Sequence, residues 1–379
     1  MHTPLIVGAG PVGLAAALFL ARHNIRTRLI EQATGRPETS RALAVNPRTL
    51  RLLEASGVTA RMLERGLKIT GARLSRNDQA IAHISLSELG GTYPFMLALS
   101  QATSEALLAE ALAEQAGKIG GGEVERGVEL VACAEHDGLD VVLAGHAGKG
   151  RGETEIVRPE WVLGCDGAHS KVRESLHIGF NGHTLAEPWT LMDVPLEGEI
   201  DPNAAHIRLF DDGGFLFLLR TVADTRVEKP PYLWRLIGNV PDLFARLADA
   251  RPAGPAVWSS SFHISHRIAD VLCRGHAYLA GDAAHIHSPI GARGMNLGIE
   301  DAWVFAELAA RGRLGQYGAL RRHVDHDVVK RIEALTTMVM GKQPWVRGVR
   351  DLILPSMLNL PLRGQMLRTL TGLDHKLAA

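Results

Sequence analysis

The chain has 379 residues, and its 41 Lys and Arg side chains balance its 41 Asp and Glu side chains. This balance argues against nucleic acid or an anionic membrane as the main partner. The three cysteines form no Cys-x-x-Cys pair, which argues against a disulfide framework or a zinc knuckle. The first residues lack a secretion signal, and the first helical run is far shorter than the roughly 20 apolar residues that span a bilayer. We therefore expect a cytoplasmic protein with no integral membrane segment.

The first segment predicts a β-strand, a helix and a second β-strand. PLIVGAG is short and apolar like a buried strand, VGLAAALFLARHN has the small residues of a packed helix, and IRTRLIE follows as a strand. Another helix is predicted after a cap at Asn46, with Pro47 in its first turn and Gly57 as its stop. TSEALLAEALAEQAG predicts an amphipathic helix that ends at Gly117.

The middle of the chain changes from helical to β patterning. Short β runs with polar turns extend from about Val124 to Leu163, and helical periodicity nearly vanishes between Gly179 and Arg267. We expect an antiparallel sheet there, interrupted by one helix near PDLFARLADA. A strand at HAYLAGD and two long helices then return the chain to α/β character.

This order predicts an α/β fold, with a discontinuous Rossmann-like domain, an inserted antiparallel β-sheet domain and a helical C-terminal tail. The Rossmann-like domain would bind a dinucleotide, and the inserted sheet would bind the substrate. The predicted ranges are 1–72, 95–178 and 268–340 for the first domain, 73–94 and 179–267 for the second, and 341–379 for the tail.

A Gly-x-Gly-x-x-Gly turn between the first strand and the first helix is typical of adenine dinucleotide binding. Gly8 permits the tight turn, Gly10 lets the backbone approach a pyrophosphate, and Gly13 allows close packing of helix and strand. The second strand ends at Glu31, where a carboxylate accepts hydrogen bonds from a ribose. The turn alone leaves NAD and FAD open. The predicted cofactor-binding residues of this motif are Gly8, Gly10, Pro11, Val12, Gly13 and Glu31.

A second motif, LGCDGAHSKVRESL, predicts a strand, an Asp166-Gly167 turn and a short helix that carries Arg173. Aspartate before glycine is ordinary turn chemistry, so by itself this motif indicates no function. Cys165 ends the strand, and this context predicts a buried thiol rather than an activated nucleophile.

A third motif, GDAAHIHSPIGARGMNLGIEDAW, combines histidines and glycines in front of a helix. His285 and His287 lie two residues apart, as metal ligands sometimes do, but no further ligand pair accompanies them, so we expect no metal. His285 is expected to be a packed loop residue. Gly294 lets the backbone approach a flat ring, and the helix that begins near Met295 presents free N–H groups to it.

In this order and spacing, the three motifs resemble those of the single-component flavoprotein aromatic hydroxylases, the FAD monooxygenases similar to p-hydroxybenzoate hydroxylase. The resemblance covers nearly the whole chain. It implies a Rossmann-like domain of the GR2 type, a noncovalently bound FAD and NAD(P)H as a transient co-substrate. The absence of a second Gly-x-Gly-x-x-Gly domain agrees with transient nicotinamide binding.

The resemblance also implies roles for single residues. Glu31 would bind a ribose, Asp282 would bind the ribityl chain, and Arg41 would lie along the flavin phosphates. Asp166 and Arg173 belong to the motif that supports both FAD and NAD(P)H. The remaining cofactor positions that it implies are Gln101, at a helix start, and Gly294, Met295 and Asn296, whose backbone would face the pyrimidine end of the isoalloxazine.

The function that the resemblance implies is an NAD(P)H- and O2-consuming monooxygenase. It would hydroxylate an aromatic or polyketide-like small molecule through a flavin C4a-hydroperoxide, as a monomer or homodimer. Free N–H groups at the helix start would stabilise negative charge on the reduced ring. A reductase or halogenase on the same scaffold and a flavin-binding module without turnover stay open as alternatives. Halogenases of this kind resemble a Trp-x-Trp-x-Ile-Pro pattern that is absent from this sequence.

We expect no catalytic side chain, because the chemistry centres on the flavin. Pro289 is expected at the oxygen pocket, and Arg220 at the substrate pocket, where it would bind an acidic group. Alternation along the strands does not reveal which face is inward, so ordinary core remains an alternative for the pocket residues. Substrate size also stays open. The residues expected to line the substrate pocket are Trp189, Met192, Phe215, Phe217, Arg220 and Trp234.

The tail is basic and amphipathic, which favours a helix packed on the body of the protein. Contact with a membrane, a partner subunit or the substrate pocket are the alternatives.

Overall fold

The computed structural model describes residues 2–35, 43–120, 122–145, 154–222, 233–341, 343, 346, 348 and 362–379. Within these residues the chain forms four β-sheets and eight α-helices. The predicted mixed α/β fold is confirmed. The finer division into a Rossmann-like domain, an inserted domain and a tail stays a prediction.

The predicted opening strand, helix and strand are present as β1 Leu5–Val7, α1 Pro11–Arg22 and β2 Arg28–Glu31. Pro11 occupies the first turn of α1, where a missing N–H costs no hydrogen bond. The helix is buried along almost its whole length because its small alanines permit close contact with neighbouring elements. This packing fixes the N-terminus of α1 at the edge of the sheet.

A six-stranded sheet contains β1 and β2. Its other strands are β8 Val124–Arg126, β12 Val162–Gly164, β19 Cys273–Arg274 and β20 Ala277–Leu279. The spatial order is β19-β20-β12-β1-β2-β8, and only the pairing of β19 with β20 is antiparallel. The carboxyl ends of β1, β2 and β12 therefore meet at one edge, which brings the glycine turn, Glu31 and Asp166 together.

A nine-stranded sheet collects strands from three parts of the chain. It contains β5 Gly71–Arg76, β6 Gln79–Ser85, β13 Phe180–Gly198, β14 Ala204–Leu209, β15 Phe215–Thr221, β16 Leu233–Gly238, β17 Ala250–Pro252, β18 Trp258–Ala269 and β21 His285–Ile286. The main path runs β21-β18-β13-β16-β15-β14-β5-β6, and β17 pairs with β13. Because β21 belongs to the third sequence motif, its pairing with β18 joins that motif directly to this sheet.

The remaining elements surround these two sheets. The small sheets are formed by β3 Ala44–Val45, β7 Met96–Ala98 and β4 Leu67–Ile69, and by β9 Val128–His136, β10 Gly138–Gly145 and β11 Thr154–Val157. The other helices are α2 Pro47–Glu54, α3 Val58–Arg65, α4 Gln101–Ala116, α5 Lys171–Ser175, α6 Gly294–Ala310, α7 Tyr317–Met340 and α8 Leu362–Thr371.

Two predicted helices differ from the structure. Gly57 does not only stop α2: with φ of 75° it turns the chain and begins α3. The helix expected near PDLFARLADA is a single 3-10 turn, Phe244–Arg246, followed by β17. Asp242 accepts hydrogen bonds from the N–H groups of Phe244 and Ala245, and the pairing of β17 with β13 then draws the chain into the sheet. Tertiary pairing here outweighs local helical periodicity.

Candidate cofactor and substrate cavity

A cavity of about 1150 Å³ is lined by residues at the edge of the six-stranded sheet and by residues of the nine-stranded sheet. Gly10, Pro11 and Val12 of the glycine turn belong to its lining. Trp189 and Phe215, which are buried side chains of the nine-stranded sheet, belong to it as well. A single space is therefore in contact with both the dinucleotide motif and an apolar sheet surface.

The three glycines of the turn after β1 have different surroundings. A Cβ added to Gly8 would lie 2.5 Å from the carbonyl oxygen of Cys165, and one added to Gly13 would lie 1.9 Å from the carbonyl oxygen of Gly8. A Cβ on Gly10 would meet no atom within 4 Å, and Gly10 lines the cavity. The packing of the protein itself therefore requires glycine at positions 8 and 13, whereas Gly10 leaves space for a ligand. Since no side chain caps α1, its first N–H groups are available to a phosphate.

Glu31 holds the glycine turn at the end of β2. Its Oε2 accepts a hydrogen bond from the N–H of Ala9 at 2.8 Å, and its Oε1 accepts one from the N–H of Ala33 at 2.9 Å. Each carboxylate oxygen has a second acceptor site. The group can therefore stabilise the loop and still accept from a ribose hydroxyl.

The Asp166 and Arg173 motif lies beside this turn. Oδ2 of Asp166 accepts from the N–H of Val172 at 3.1 Å, whereas the buried Oδ1 has no hydrogen-bond partner among the described residues. Burial raises the pKa of Asp166. Arg173 donates to the carbonyls of Ala283 at 3.0 Å and Ala168 at 2.8 Å, so it ties this motif to the third one. Burial also raises the pKa of the neighbouring Cys165 thiol well above its usual range, which agrees with an inert thiol.

The start of α6 lines the cavity through Gly294 and Met295. A Cβ on Gly294 would meet no atom within 4 Å, so the backbone is open to a ligand there as it is at Gly10. No side chain caps α6. Its free N–H groups and the positive end of its dipole therefore favour an anionic or electron-rich group in the cavity.

Asn296 fixes this helix start rather than lining the cavity. Its Nδ2 donates to the carbonyls of Ala44 at 2.9 Å and Ala292 at 2.7 Å, and its Oδ1 accepts from the N–H of Asn46 at 3.0 Å. The side chain is fully buried. The amide thus holds the loop before α6 against the segment before α2.

Three further predicted residues line the cavity, and a fourth cannot be described. Gln101 and Asp282 line the cavity, and Pro289 lines it from the loop before α6. Gln101 begins α4 and donates to Oε1 of Glu105 at 2.8 Å. Arg41, predicted along the phosphates, lies outside the described residues.

His285 belongs to a buried ionic cluster with Asp301, Arg321 and Asp325. Its Nε2 lies 2.8 Å from Oδ2 of Asp301, and Arg321 donates to Asp301 at 2.6 Å and to Asp325 at 2.8 Å. Burial opposes the charge of His285, but Asp325 and Asp301 outweigh it and raise its pKa to about 9. His285 is thus packed as expected, but it lies in strand β21 rather than in a loop, and it is one member of an ion network.

The geometry around His285 argues against a metal site. Ligand atoms of His285, Asp301 and Asp325 lie within 4.8 Å of one another, and all three side chains are buried. However, the guanidinium of Arg321 already bonds to both carboxylates and supplies the positive charge that a metal would bring. His287 takes no part: its Nδ1 lies 2.8 Å from the carbonyl oxygen of Ser288, and burial lowers its pKa to about 3.

The apolar wall of the cavity uses one face of the nine-stranded sheet. Trp189, Phe215 and Phe217 line it as predicted. Nε1 of the fully buried Trp189 has no hydrogen-bond partner among the described residues, so it is an available donor. The other apolar side chains in this wall include Leu191, Leu209, Leu219, Ile237, Phe262 and Ile264.

Met192, Arg220 and Trp234, which were expected in the pocket, are not among the described residues that line this cavity. Arg220 follows Leu219 in β15, and because successive strand residues alternate in direction, its side chain leaves the cavity face that Leu219 occupies. Met192 and Trp234 pack in a separate apolar cluster on the other face of the sheet. The predicted contact of Arg220 with an acidic group stays a prediction, and Arg220 is not among the described residues that line this cavity.

Two parts of the lining were not predicted from the sequence. Arg267 and the exposed His169 supply cationic or potentially cationic side chains to the cavity, although each looked like an ordinary residue of its motif or strand. Met366, Leu367 and Leu370 of α8 form another part of the wall. This helix packs on the body of the protein, as expected, and also borders the cavity. Among the described segments, no helix has the length and apolar character needed to cross a membrane.

The described residues form a mixed α/β fold, and one cavity contacts both the glycine turn and an apolar face of the nine-stranded sheet. A family described as FAD binding domain matches residues 2–210 and 239–332. The chain belongs to this FAD-binding family, that of the flavoprotein aromatic hydroxylases, and FAD is its cofactor.

Named relatives share this family. The chain is 35% identical over 326 residues to 6-methylpretetramide 4-monooxygenase of Streptomyces rimosus, covering 80% of this chain and 54% of that protein. It is 28% identical over 360 residues to pentachlorophenol 4-monooxygenase of Sphingobium chlorophenolicum, covering 89% and 65%. The chain thus spans less than two thirds of these relatives. The structure of p-nitrophenol 4-monooxygenase from Pseudomonas putida has the same fold, with a TM-score of 0.83, 23% identity and 99% coverage of both chains.

Proposed function

We propose that this protein is an FAD-dependent monooxygenase that uses NAD(P)H and O2 to hydroxylate an aromatic or polyketide-like small molecule. The observation that carries the proposal is the single cavity that joins the glycine turn, the open start of α6 and the apolar wall. Bound FAD supplies the chemistry of electron transfer and oxygen transfer. The protein supplies binding, orientation and exclusion of water.

The cofactor is proposed to lie along the edge of the six-stranded sheet. Gly10 and the first N–H groups of α1 would bind its pyrophosphate, and Glu31 would bind a ribose. Gly294 and Met295 would place the positive end of α6 beside the ring, where it favours negative charge. The remaining proposed contacts are Gly8, Pro11, Val12, Gly13, Gln101, Asp166, Asp282 and the backbone of Asn296, with Arg41 from outside the described residues. Two open glycine positions and two uncapped helix starts in one cavity support this fit.

This arrangement favours the predicted division of the chain. We assign residues 1–72, 95–178 and 268–340 to a Rossmann-like, GR2-type FAD-binding domain, and residues 73–94 and 179–267 to a substrate-binding β-sheet domain. Residues 341–379 remain a C-terminal tail.

The proposed substrate lies against the apolar face of the nine-stranded sheet. Phe215 and Phe217 offer aromatic contact there, and Trp189 offers a buried donor for a hydroxyl or carbonyl oxygen. A ligand with an aromatic body and few polar groups suits this lining. Pro289 lines the cavity from the loop before α6, and in this proposal it would lie on the oxygen-reacting side of the ring.

NAD(P)H is proposed to approach through the part of the cavity that contains Arg267 and His169. Arg267 is half-buried, and its donors reach the carbonyl of Phe180 and Oγ1 of Thr184 only at 3.4 Å. These long contacts leave the guanidinium able to bind a phosphate at little cost. His169 is exposed and belongs to the same lining.

A direct test is NADH and NADPH oxidation by the purified FAD-loaded protein in the presence of a panel of phenols, quinolones and polyketides. The proposal predicts that at least one ligand accelerates oxidation and appears as a hydroxylated product by mass spectrometry. A flavin-binding module without turnover predicts the same slow oxidation with every ligand.

A further inference from the structure

The segment that follows α8 crosses the start of α6. The N–H of Leu373 donates to the carbonyl of Arg368 at 2.8 Å and ends the helix. Gly372 then adopts a φ of 80°. A Cβ on Gly372 would lie 2.7 Å from Nη1 of Arg293 and 2.6 Å from Nδ2 of Asn46. Glycine therefore permits both the turn and this close approach to the guanidinium.

Arg293 is a buried cation at the start of α6. Its side chain has an exposed fraction of 0%, and the residue lines the cavity. None of its three guanidinium nitrogens has a hydrogen-bond partner among the described residues. Burial of a charge is costly unless an opposite charge lies nearby. Oδ1 of Asp374, 3.5 Å from Nη2 of Arg293, supplies such a charge.

Asp374 and His375 are themselves held by two helices. Nη1 of Arg331, on α7, donates to Oδ2 of Asp374 at 2.8 Å. The ring of His375 lies between two carboxylates, with Nδ1 3.1 Å from Asp374 and Nε2 2.7 Å from Glu300 on α6. Burial opposes the charge of His375, but these carboxylates outweigh it and raise its pKa. The imidazole thus connects the segment to α6.

We propose that Asp374 and His375 are positioning residues that hold the Arg293 guanidinium at the start of α6, beside the place of the flavin ring. His375 attaches the segment to α6 through Glu300, and Asp374 attaches it to α7 while it pairs with Arg293. Arg293 adds positive charge where the free N–H groups of α6 already favour an anion. The inference rests on FAD binding and on the ring position in the proposed function, but not on oxygen transfer.

The test is a double-mutant cycle on the FAD-loaded protein with the midpoint potential of the flavin as readout. Arg293→Met should lower the potential, because it removes a cation that stabilises the reduced ring. Asp374→Asn should also lower it, since Arg293 then loses its position. The double variant should have the potential of the Arg293 variant alone, and Asp374→Glu should restore most of the original value.

Two further measurements separate positioning from general stability. The dissociation constant of FAD should rise about tenfold in Asp374→Asn, as expected for the loss of one charge-assisted contact. The matched control is Asp193→Asn, which breaks a buried pair with Arg235, at 2.7 Å, outside the cavity lining. That control should lower the melting temperature of the protein but leave the flavin potential unchanged.

A higher potential in Asp374→Asn would show that Asp374 only offsets the charge of Arg293, and an unchanged potential would show a merely structural role. Either result overturns the proposal. If Asp374→Asn does not fold, His375→Gln takes its place. This variant should also lower the flavin potential, and a higher or unchanged potential would overturn the proposal. Loss of hydroxylation in the unmodified protein, with these shifts intact, would count against the proposed function alone.

Discussion

At the scale of single residues, the middle glycine of the turn after β1 offers the sharpest test of cofactor binding. A Cβ on Gly10 meets nothing within 4 Å, and the φ of −71° suits any residue. Gly10→Ala should therefore fold normally. Its methyl group would occupy the space of a pyrophosphate, so the FAD dissociation constant should rise at least about tenfold by titration of the apoprotein.

Gly8→Ala is the matched control for that variant. Gly8 has a φ of 97°, and a Cβ there would lie 2.5 Å from the carbonyl oxygen of Cys165. This variant should lower the free energy of unfolding of the apoprotein by about 1–3 kcal/mol or more. Loss of apoprotein stability in Gly10→Ala, or normal FAD affinity, would contradict the roles assigned to the two glycines.

Arg267→Ala tests the proposed approach of NAD(P)H. Removal of the guanidinium should raise the KM for NAD(P)H roughly tenfold while FAD content stays the same, because one phosphate contact is lost. Arg220→Ala is the control, since Arg220 lies on the other face of β15. Steady-state kinetics of both variants give the answer. Equal effects on the KM would refute the assignment of Arg267.

The sequence could predict site residues whose role depends on local backbone shape. The glycine turn and Glu31 follow from spacing alone, because turn, helix start and strand end are neighbours in sequence. Arg220 could not be predicted, since alternation leaves the inward face undecided until the sheet packs. The role of the Asn296 side chain depends on Ala44 and Asn46, about 250 positions away, so it was equally hidden.

At the scale of elements, the buried cluster of His285, Asp301, Arg321 and Asp325 joins β21, α6 and α7. The pKa of His285 is about 9 in the folded protein and 6.5 as its ordinary value. The folded state therefore retains a proton that the unfolded state loses between these values. The stability from this group is fully present below pH 6.5 and is lost as the pH rises to 9, by at most about 3 kcal/mol.

Denaturant unfolding between pH 6 and 9.5 measures this effect. His285→Gln should remove the pH dependence above about pH 7, whereas Asp325, whose pKa burial raises to about 7, still contributes at the lower end of this window. The substitution also lowers stability at pH 6. His276→Gln is a control, because His276 is exposed and pairs with Glu135 away from the cluster. An equally steep loss of stability in His285→Gln and in the unmodified protein would assign the effect to other groups.

Helices and strands could be predicted where capping residues, prolines or glycines mark the same boundaries as the hydrophobic periodicity. Asn46 caps α2 by accepting from the N–H of Thr49, and Pro47 stands in its first turn, as the sequence indicates. The 3-10 turn at Phe244–Arg246 was not predictable, because β17 pairs with β13 about 50 residues earlier in the chain. The network around His285 was hidden for the same reason, since its partners lie 16 and 40 positions away on other elements.

At the scale of the whole molecule, the cavity depends on contact between parts that are distant in sequence. β21 pairs with β18, so the loop before α6 is joined to the nine-stranded sheet. The edge of the six-stranded sheet supplies the glycine turn, and α8 supplies part of the wall. In this arrangement a single cavity touches both the glycine turn and an apolar surface. This is the physical basis of the proposed oxygen transfer.

The most direct test of that claim is oxygen labelling during turnover. The FAD-loaded protein would be supplied with NAD(P)H, ¹⁸O2 and a ligand that accelerates oxidation, and the product would be analysed by mass spectrometry. The account predicts one ¹⁸O atom in each hydroxylated product and one NAD(P)H consumed for each product formed when the reaction is fully coupled. Product oxygen derived from labelled water, or NAD(P)H oxidation that yields hydrogen peroxide but no labelled product with any ligand, would contradict it.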